Sequence, residues 1–298
     1  MQDKPLKTVL IVGCGAIGRR VAALLTVGRY DVAGIVRSHE SVETLAKSGV
    51  RAVCIDLDRP DPGMEHTLEQ GCRDSDIFYF APPPPAGEQD TRMQAFLGVL
   101  SGKTGVRRIV YISTSAVYGD CHGAWITESQ PLNPTTSRGQ RRLDAEQQLR
   151  DWCRTHAAQW IILRVPGIYG PGKLPLARLR KGTPVLCEAD APYTNRIHAD
   201  DLAAICVTAM HCSIANTVYN VSDGHPGNMT DYFFRVADAA GLPRPPEVSR
   251  EEAQTVLSAG MLSFLQDSRR MDNSKLLHEL GIQLQYPNLD AGLADCFR

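Results

Sequence analysis

The run IVGCGAIGRRVAALL places Gly13, Gly15 and Gly18 in a G-x-G-x-x-G pattern, directly after an apolar run and directly before a helical one. Such a turn does one kind of chemistry well: it cradles a diphosphate. The first glycine allows the tight bend, the second lets the backbone approach the phosphates, and the third lets helix pack on strand. The amides at the helix start then face the negative charge. Gly13, Gly15, Ala16, Ile17 and Gly18 are the expected contacts. The second apolar run ends at Arg37 and Ser38, where an acidic residue would hold a ribose 2′-hydroxyl. A guanidinium suits a 2′-phosphate instead. The expected cofactor is therefore NADP(H), with NAD(H) as the alternative. Asp56 and Leu57 end the third run, where the Asp56 carboxylate either accepts from an adenine amino group or caps its loop.

These residues need elements to hold them. TVLIV (8–12), VAGIV (32–36), RAVCID (51–56), DIFYFA (76–81), RRIVYIST (107–114) and WIILRV (160–165) read as buried strands. Helical patterns lie between several of them, at 16–26, 41–49, 93–100 and 138–152. Continuous apolar strands alternating with helices predict a parallel sheet covered on both faces. After Pro166 the pattern loosens, with a helix at 198–210, a strand at 217–223 and a mostly helical remainder. The expectation is a doubly wound α/β domain over 1–165 with about 195–215. A smaller mixed substrate lobe over about 166–194 and 216–298 would leave a ligand cleft between the two.

The 298 residues carry a net charge of -1, with 43% hydrophobic residues and no charged block. Nothing here points to nucleic acid or a membrane surface. The apolar run VLIV is too short for a signal peptide or a membrane span. The nine cysteines are scattered without Cys-x-x-Cys spacing, which predicts reduced thiols in a cytoplasmic protein. His198 with Asp200 and Asp201 imitates a ligand set, but no metal is expected.

The order and spacing of the glycine turn, FAPPP (80–84), YISTSAVYGD (111–120), ESQPLNP (128–134), LRVPGIYGPG (163–172), NRIHADDLA (195–203) and YNVSDG (219–224) resemble the extended short-chain dehydrogenase/reductases, the NAD-dependent epimerases and dehydratases. The resemblance runs nearly end to end. It implies a Rossmann-type domain, a hydride transfer and a small-molecule substrate. It puts Thr114 in the place of the catalytic Ser/Thr, and Ala81, Pro82, Val165, Pro166 and Gly167 along the cofactor. It also suggests a homodimer through helices at 92–104 and 138–156.

The departures carry as much information. The family tyrosine that moves the proton, and the lysine four residues on, become Arg138 and Arg142. Arg142 can still supply positive charge and ribose hydrogen bonds. Arg138 stays protonated at any working pH and clamps carboxylates or phosphates instead. Val12 stands where extended members keep an additional glycine, Ser115 and Ala116 where dehydratases keep acids. Thr194 stands where sugar-nucleotide enzymes keep a diphosphate-binding arginine, and Arg196 replaces their aromatic. Two classes of function follow. One is a reductase or epimerase with a displaced acid among Tyr118, His122, Tyr169, Tyr193 and His198, of which His122 has the ordinary pKa best suited to the task. Tyr118, Tyr193, Arg138 and Arg196 are the candidate substrate contacts. The other class is an NADPH-binding sensor or scaffold without turnover. The enzyme is favoured because the long cleft-lining segments would otherwise lack a purpose.

Overall fold

The computed structural model describes residues 7–28, 30–59, 75–100 and 105–298. The chain divides into two compact units. The first comprises Met1–Ser113, Gln140–Arg164 and Leu202–Tyr219; the second comprises Thr114–Gly139, Val165–Asp201 and Asn220–Arg298.

The first unit is built on seven strands: β1 (Thr8–Val12), β2 (Asp31–Val36), β3 (Arg51–Cys54), β4 (Asp76–Tyr79), β5 (Arg108–Thr114), β6 (Gln159–Val165) and β7 (Thr217–Asn220). Their order across the sheet is β7-β6-β5-β4-β1-β2-β3. β1 pairs in parallel with β2, Ile11 opposite Gly34, and with β4, Ile11 opposite Phe78. The β2–β3 and β4–β5 pairs are parallel too. Val9, Leu10, Ile11 and Val12 are all buried, as a strand covered on both faces requires. The chain reverses direction across the sheet between β1 and β4, and the ends of these strands form the switch point where doubly wound sheets bind ligands.

Helices α1 (Ala16–Val27), α2 (His39–Ala46), α3 (Thr91–Val99), α4 (Ser137–Thr155) and α5 (Ala199–His211) follow strands in the order the sequence predicts. α1 buries Ile17, Gly18, Val21, Ala22 and Leu25, one stripe at helical spacing. The strands expected over 51–56, 76–81 and 217–223 end at Cys54, Tyr79 and Asn220. Their last apolar residues belong to loops at the sheet edge. Residues 101–104 of the helix expected over 92–104, and Cys72, lie outside the described residues.

The second unit holds short strand pairs. Gly167–Tyr169 pairs in parallel with Arg196–His198, and Trp125–Ile126 with Arg270–Met271. Its core joins Tyr169, Leu179, Tyr232, Phe233, Val236 and Leu293. This unit is larger than the lobe expected from the sequence, because Thr114–Gly139 belongs to it. The Cys121 and Gly123 amides donate to the Ser268 carbonyl, the Arg269 guanidinium donates to the Gly119 carbonyl, and the Thr135 hydroxyl donates to Asp267 at 2.8 Å. Those bonds tie a loop that leaves β5 to the far end of the sequence. No described helix is long and apolar enough to cross a membrane.

Candidate functional site

In the first unit the glycine turn closes the switch point. Gly13 has φ +82°, and a Cβ there would lie 2.5 Å from the Ala81 nitrogen and 2.8 Å from the Phe80 carbonyl carbon. Two amides of the turn, Gly13 and Cys14, donate to the Ile35 carbonyl of β2, and the Phe80 amide donates to the Val12 carbonyl. The turn is thus pinned between both neighbours of β1. Gly18 lets α1 press on the strand, since a Cβ would sit 3.1 Å from Ile11 Cγ2. Gly15 differs: nothing but the Gly13 carbonyl, at 3.9 Å, comes within 4 Å of its Cβ direction. Gly15 is also the N-cap of α1, which has no side-chain cap and no acidic residue in its first turn. The arrangement leaves open, positively polarised space over backbone amides, and that fits a diphosphate. Cys14 lies underneath, its thiol pushed up to about 11 by burial, so it is a packing group.

The loops around this turn are held by a residue the sequence reading missed. Arg92 on α3 makes a bidentate ion pair with Asp58, at 2.6 and 2.5 Å, and donates to the carbonyls of Pro82 at 2.9 Å and Pro83 at 3.2 Å. One guanidinium therefore locks the loop after β3 to the loop after β4. Leu57, between those loops, is buried in the core, and Ala81 is buried beside Gly13. Pro82 is exposed. Asp56 accepts from the Asp58 amide at 3.1 Å, a loop-capping bond. Arg37 is exposed at the end of β2, and its charge helps Arg92 hold the Asp58 carboxyl below its usual range. Ser38 caps α2 by accepting from the Ser41 amide.

Arg142 on α4 is half-buried. It donates to the Tyr111 hydroxyl and to the Ile112 carbonyl, both at 3.1 Å. Burial works against its charge, but Tyr111, Asp90 and Tyr79 outweigh burial and hold the guanidinium above its usual value. Burial pushes Tyr111 up to about 12 despite Arg142, which removes it as a proton donor near neutrality. One turn further along α4, Glu146 is fully buried. It accepts from the Ser113 hydroxyl at 2.6 Å, from Arg164 at 2.7 Å and from Arg150 at 3.1 Å. This network fixes the helix that carries Arg142 to the strands that carry Tyr111 and Ser113.

The second unit carries the other named residues. The Thr114 hydroxyl accepts from the Ala116 amide at 3.3 Å and caps a single 3₁₀ turn, which leaves its proton available to a substrate oxygen. Arg138 stacks its guanidinium 4.0 Å over the exposed Phe264 ring. Tyr118 is buried and donates to Asn220 at 2.7 Å; Tyr169 is buried and donates to the Asn288 carbonyl at 3.2 Å. His122 is 92% exposed, with Nδ1 2.9 Å from Asp120 Oδ2. Tyr193 is exposed, and Arg270 lies 4.8 Å over its ring. His198 is buried against the Tyr286 ring, 3.8 Å between centroids, and Nδ1 accepts from the Asp200 amide. Ligating atoms of His198, Asp200 and Asp295 lie within 4.8 Å of one another. Asp201 instead accepts from the Gln285 and Tyr286 amides, at 2.8 and 2.9 Å. Val165 is buried, and Pro166 and Gly167 are partly exposed. Arg196 lies flat against Gly167, where a Cβ would be 2.6 Å from its NH1.

Asp223 is 4% exposed, and the sequence reading gave it no role. Its Oδ1 accepts from the His225 amide at 2.9 Å, while Oδ2 is buried without a hydrogen bond among the described residues. Burial raises its pKa from 3.8 to about 6, against the lowering effects of His225 and Arg196. A raised folded-state acid stabilises the fold while protonated and loses that contribution as pH climbs through about 6. The shift of about two units is worth about 3 kcal/mol. Asp223→Asn is therefore expected to gain about 2 kcal/mol over the wild type at pH 7.5 and nothing at pH 3.5, read by urea unfolding at both pH values.

A Rossmann-type sheet with an acid-free glycine turn at its switch point defines a dinucleotide-binding protein. The family model described as NAD dependent epimerase/dehydratase family matches residues 9–222, and the chain belongs to that family. It is similar to protein YeeZ of Escherichia coli K12, 26% identical over 290 residues that cover 95% of this chain and 97% of that one. Among solved structures it resembles a conserved protein of unknown function from Silicibacter pomeroyi DSS, with TM-score 0.84, 30% identity and coverage of 97% and 98% of the two chains. It also resembles the Thermotoga maritima UDP-glucose 4-epimerase solved with UDP-glucose, with TM-score 0.78, 19% identity and coverage of 97% and 96%. At that identity the likeness is one of fold.

Proposed function

We propose that the protein is an NADP(H)-preferring oxidoreductase or epimerase-like enzyme acting on a small carbonyl, hydroxyl or sugar-type compound. The observation that carries this is the open Gly15 N-cap of α1, free of acidic residues, together with the exposed guanidinium of Arg37 at the end of β2. Bound nicotinamide supplies or accepts the hydride. The Gly13–Gly18 turn holds the diphosphate, and Arg37 with Ser38 meets the 2′-phosphate. Arg142, fixed by Tyr111 and Ile112, holds the ribose with its remaining donors. Thr114 donates to the substrate oxygen. His122, oriented by Asp120, transfers the proton, and Val165 and Pro166 line the ring. Arg138, Tyr193 and Arg196 contact substrate.

A second reading, NADPH binding without turnover, draws on Arg138 standing in the tyrosine place and on the hydroxyls of Tyr118 and Tyr169 being engaged by protein. One assay separates the two. NADPH oxidation is followed across a panel of aldehydes, ketones and sugars with wild type and His122→Gln. Turnover with at least one compound, reduced by roughly a hundredfold in the variant, supports the enzyme with His122 in its role. Tight NADPH binding with no turnover across the panel supports the sensor. Arg37→Glu is expected to weaken NADPH binding by about tenfold or more while sparing NADH; equal affinities of the wild type for both nucleotides would remove the NADP preference.

A further inference from the structure

We propose that Arg196 is the anchor for a carboxylate on the substrate and that the buried Asp223 tunes that anchor electrostatically. The proposal rests on the reading above and narrows its substrate to a hydroxy or oxo acid.

The geometry lies wholly within the second unit. The Arg196 guanidinium sits 4.0 Å over the Tyr232 ring, with its NH1 donating to the Asn195 carbonyl at 2.9 Å. Tyr232 engages the same group, and the side chain is partly exposed. An arginine has five N–H donors, and the bonds to Asn195 and Tyr232 leave others in the planar fork that matches a carboxylate. The flat seat exists because residue 167 is glycine: a Cβ would be 3.1 Å from the Arg196 Cζ.

Asp223 supplies the tuning. Its amide donates to the Arg196 carbonyl at 2.8 Å, its charge is felt by Arg196, and its Oδ2 has no hydrogen bond among the described residues. The groups that face it are Arg196 on the strand Arg196–His198, Tyr169 on the strand Gly167–Tyr169, and His225 on its own loop. Tyr169 is held neutral, its pKa raised by burial and by Asp223. When Asp223 is ionised it offsets the Arg196 charge and repels an incoming anion. When it is protonated, Arg196 is uncompensated. The carboxylate therefore binds more tightly as pH falls through about 6. With Asp223 ionised the Arg196–Asp223 pair is close to neutral, so a dianionic phosphate gains little extra attraction while losing more hydration than lactate, which favours the monovalent acid.

The test uses the full chain and three probes at pH 5.5 and 7.5: lactate and its neutral amide lactamide are titrated by saturation-transfer NMR, and inorganic phosphate is titrated as a competitor of the lactate signal. NADPH binding is measured separately on the same samples. The expected result is lactate binding about tenfold tighter at pH 5.5, one pKa unit of coupling, with lactamide silent and phosphate weaker than lactate at pH 7.5. Arg196→Gln abolishes lactate binding, and Arg196→Lys and Gly167→Ala weaken it. Asp223→Asn carries the low-pH affinity up to pH 7.5. Retained binding in Arg196→Gln, equal binding of lactamide, phosphate matching lactate at pH 7.5, or a pH dependence that survives Asp223→Asn overturns the proposal. Wild type that binds NADPH but not lactate sinks this proposal alone. Wild type that binds lactate but not NADPH sinks the cofactor reading and leaves the anchor standing.

Discussion

Gly13→Ala is expected to abolish measurable binding of the nicotinamide dinucleotide and to lower the unfolding midpoint. Two independent constraints produce this. At φ +82° an L side chain costs about 1–2 kcal/mol. The new Cβ would also lie 2.5 Å from the Ala81 nitrogen and 2.7 Å from its Cα. Neither is a flexible side chain that can yield; both belong to the backbone after β4, which Arg92 ties to Pro82 and Asp58. The turn must move, and the amides at the start of α1 lose their aim. A loss of at least a hundredfold in affinity, about 3 kcal/mol, is expected by calorimetry. Gly15→Asp separates binding from folding. Its side chain enters open space, so the unfolding midpoint stays within a few degrees of wild type. Its charge meets the diphosphate at roughly 4 kcal/mol of repulsion, so affinity falls by about a hundredfold or more. Unchanged NADPH affinity in both variants would remove the turn from the cofactor site.

The second large effect lies away from the cofactor turn. Glu146→Gln is expected to destabilise the protein by about 3–5 kcal/mol, the usual cost of removing one member of a buried ion pair. Arg164, itself 2% exposed, would lose its counter-charge, and Ser113 and Arg150 would lose their acceptor. The expected fall in midpoint is about 10 °C. Because Glu146 and Arg142 share α4, NADPH affinity should fall as well, through loss of the helix position that presents Arg142. An unfolding midpoint within two or three degrees of wild type would show that the Glu146 network contributes little to the fold.

These two sites show what the sequence could and could not disclose. The glycine turn is legible because its constraint is local: spacing, a strand before and a helix after. The parallel sheet is legible because strands covered on both faces are apolar throughout. Glu146 is hidden because α4 is polar nearly all round, and RGQRRLDAEQQLRDW gives no stripe that marks one glutamate as buried. Arg92 and Asp58 look like ordinary surface charges until the fold brings the loops after β3 and β4 together. Asp223 stands in YNVSDG, a recognisable motif, yet its burial comes from contacts with residues far away in the chain. The expected boundary at residue 165 missed Thr114–Gly139 because β5 and the loop after it are continuous in sequence, while the loop's hydrogen bonds run to Asp267, Ser268 and Arg269. Tyr118 and Tyr169 were open candidates for proton transfer by type alone; in the structure each hydroxyl donates to a protein oxygen.

The central claim is that the Gly13–Gly18 turn and Arg37 hold a phosphorylated nicotinamide dinucleotide. Calorimetric titration of the full chain with NADPH and with NADH tests it most directly. The account predicts one site per chain, saturable binding of NADPH, and NADH bound at least about tenfold more weakly. Absence of heat and of any shift in unfolding temperature with either nucleotide would contradict it.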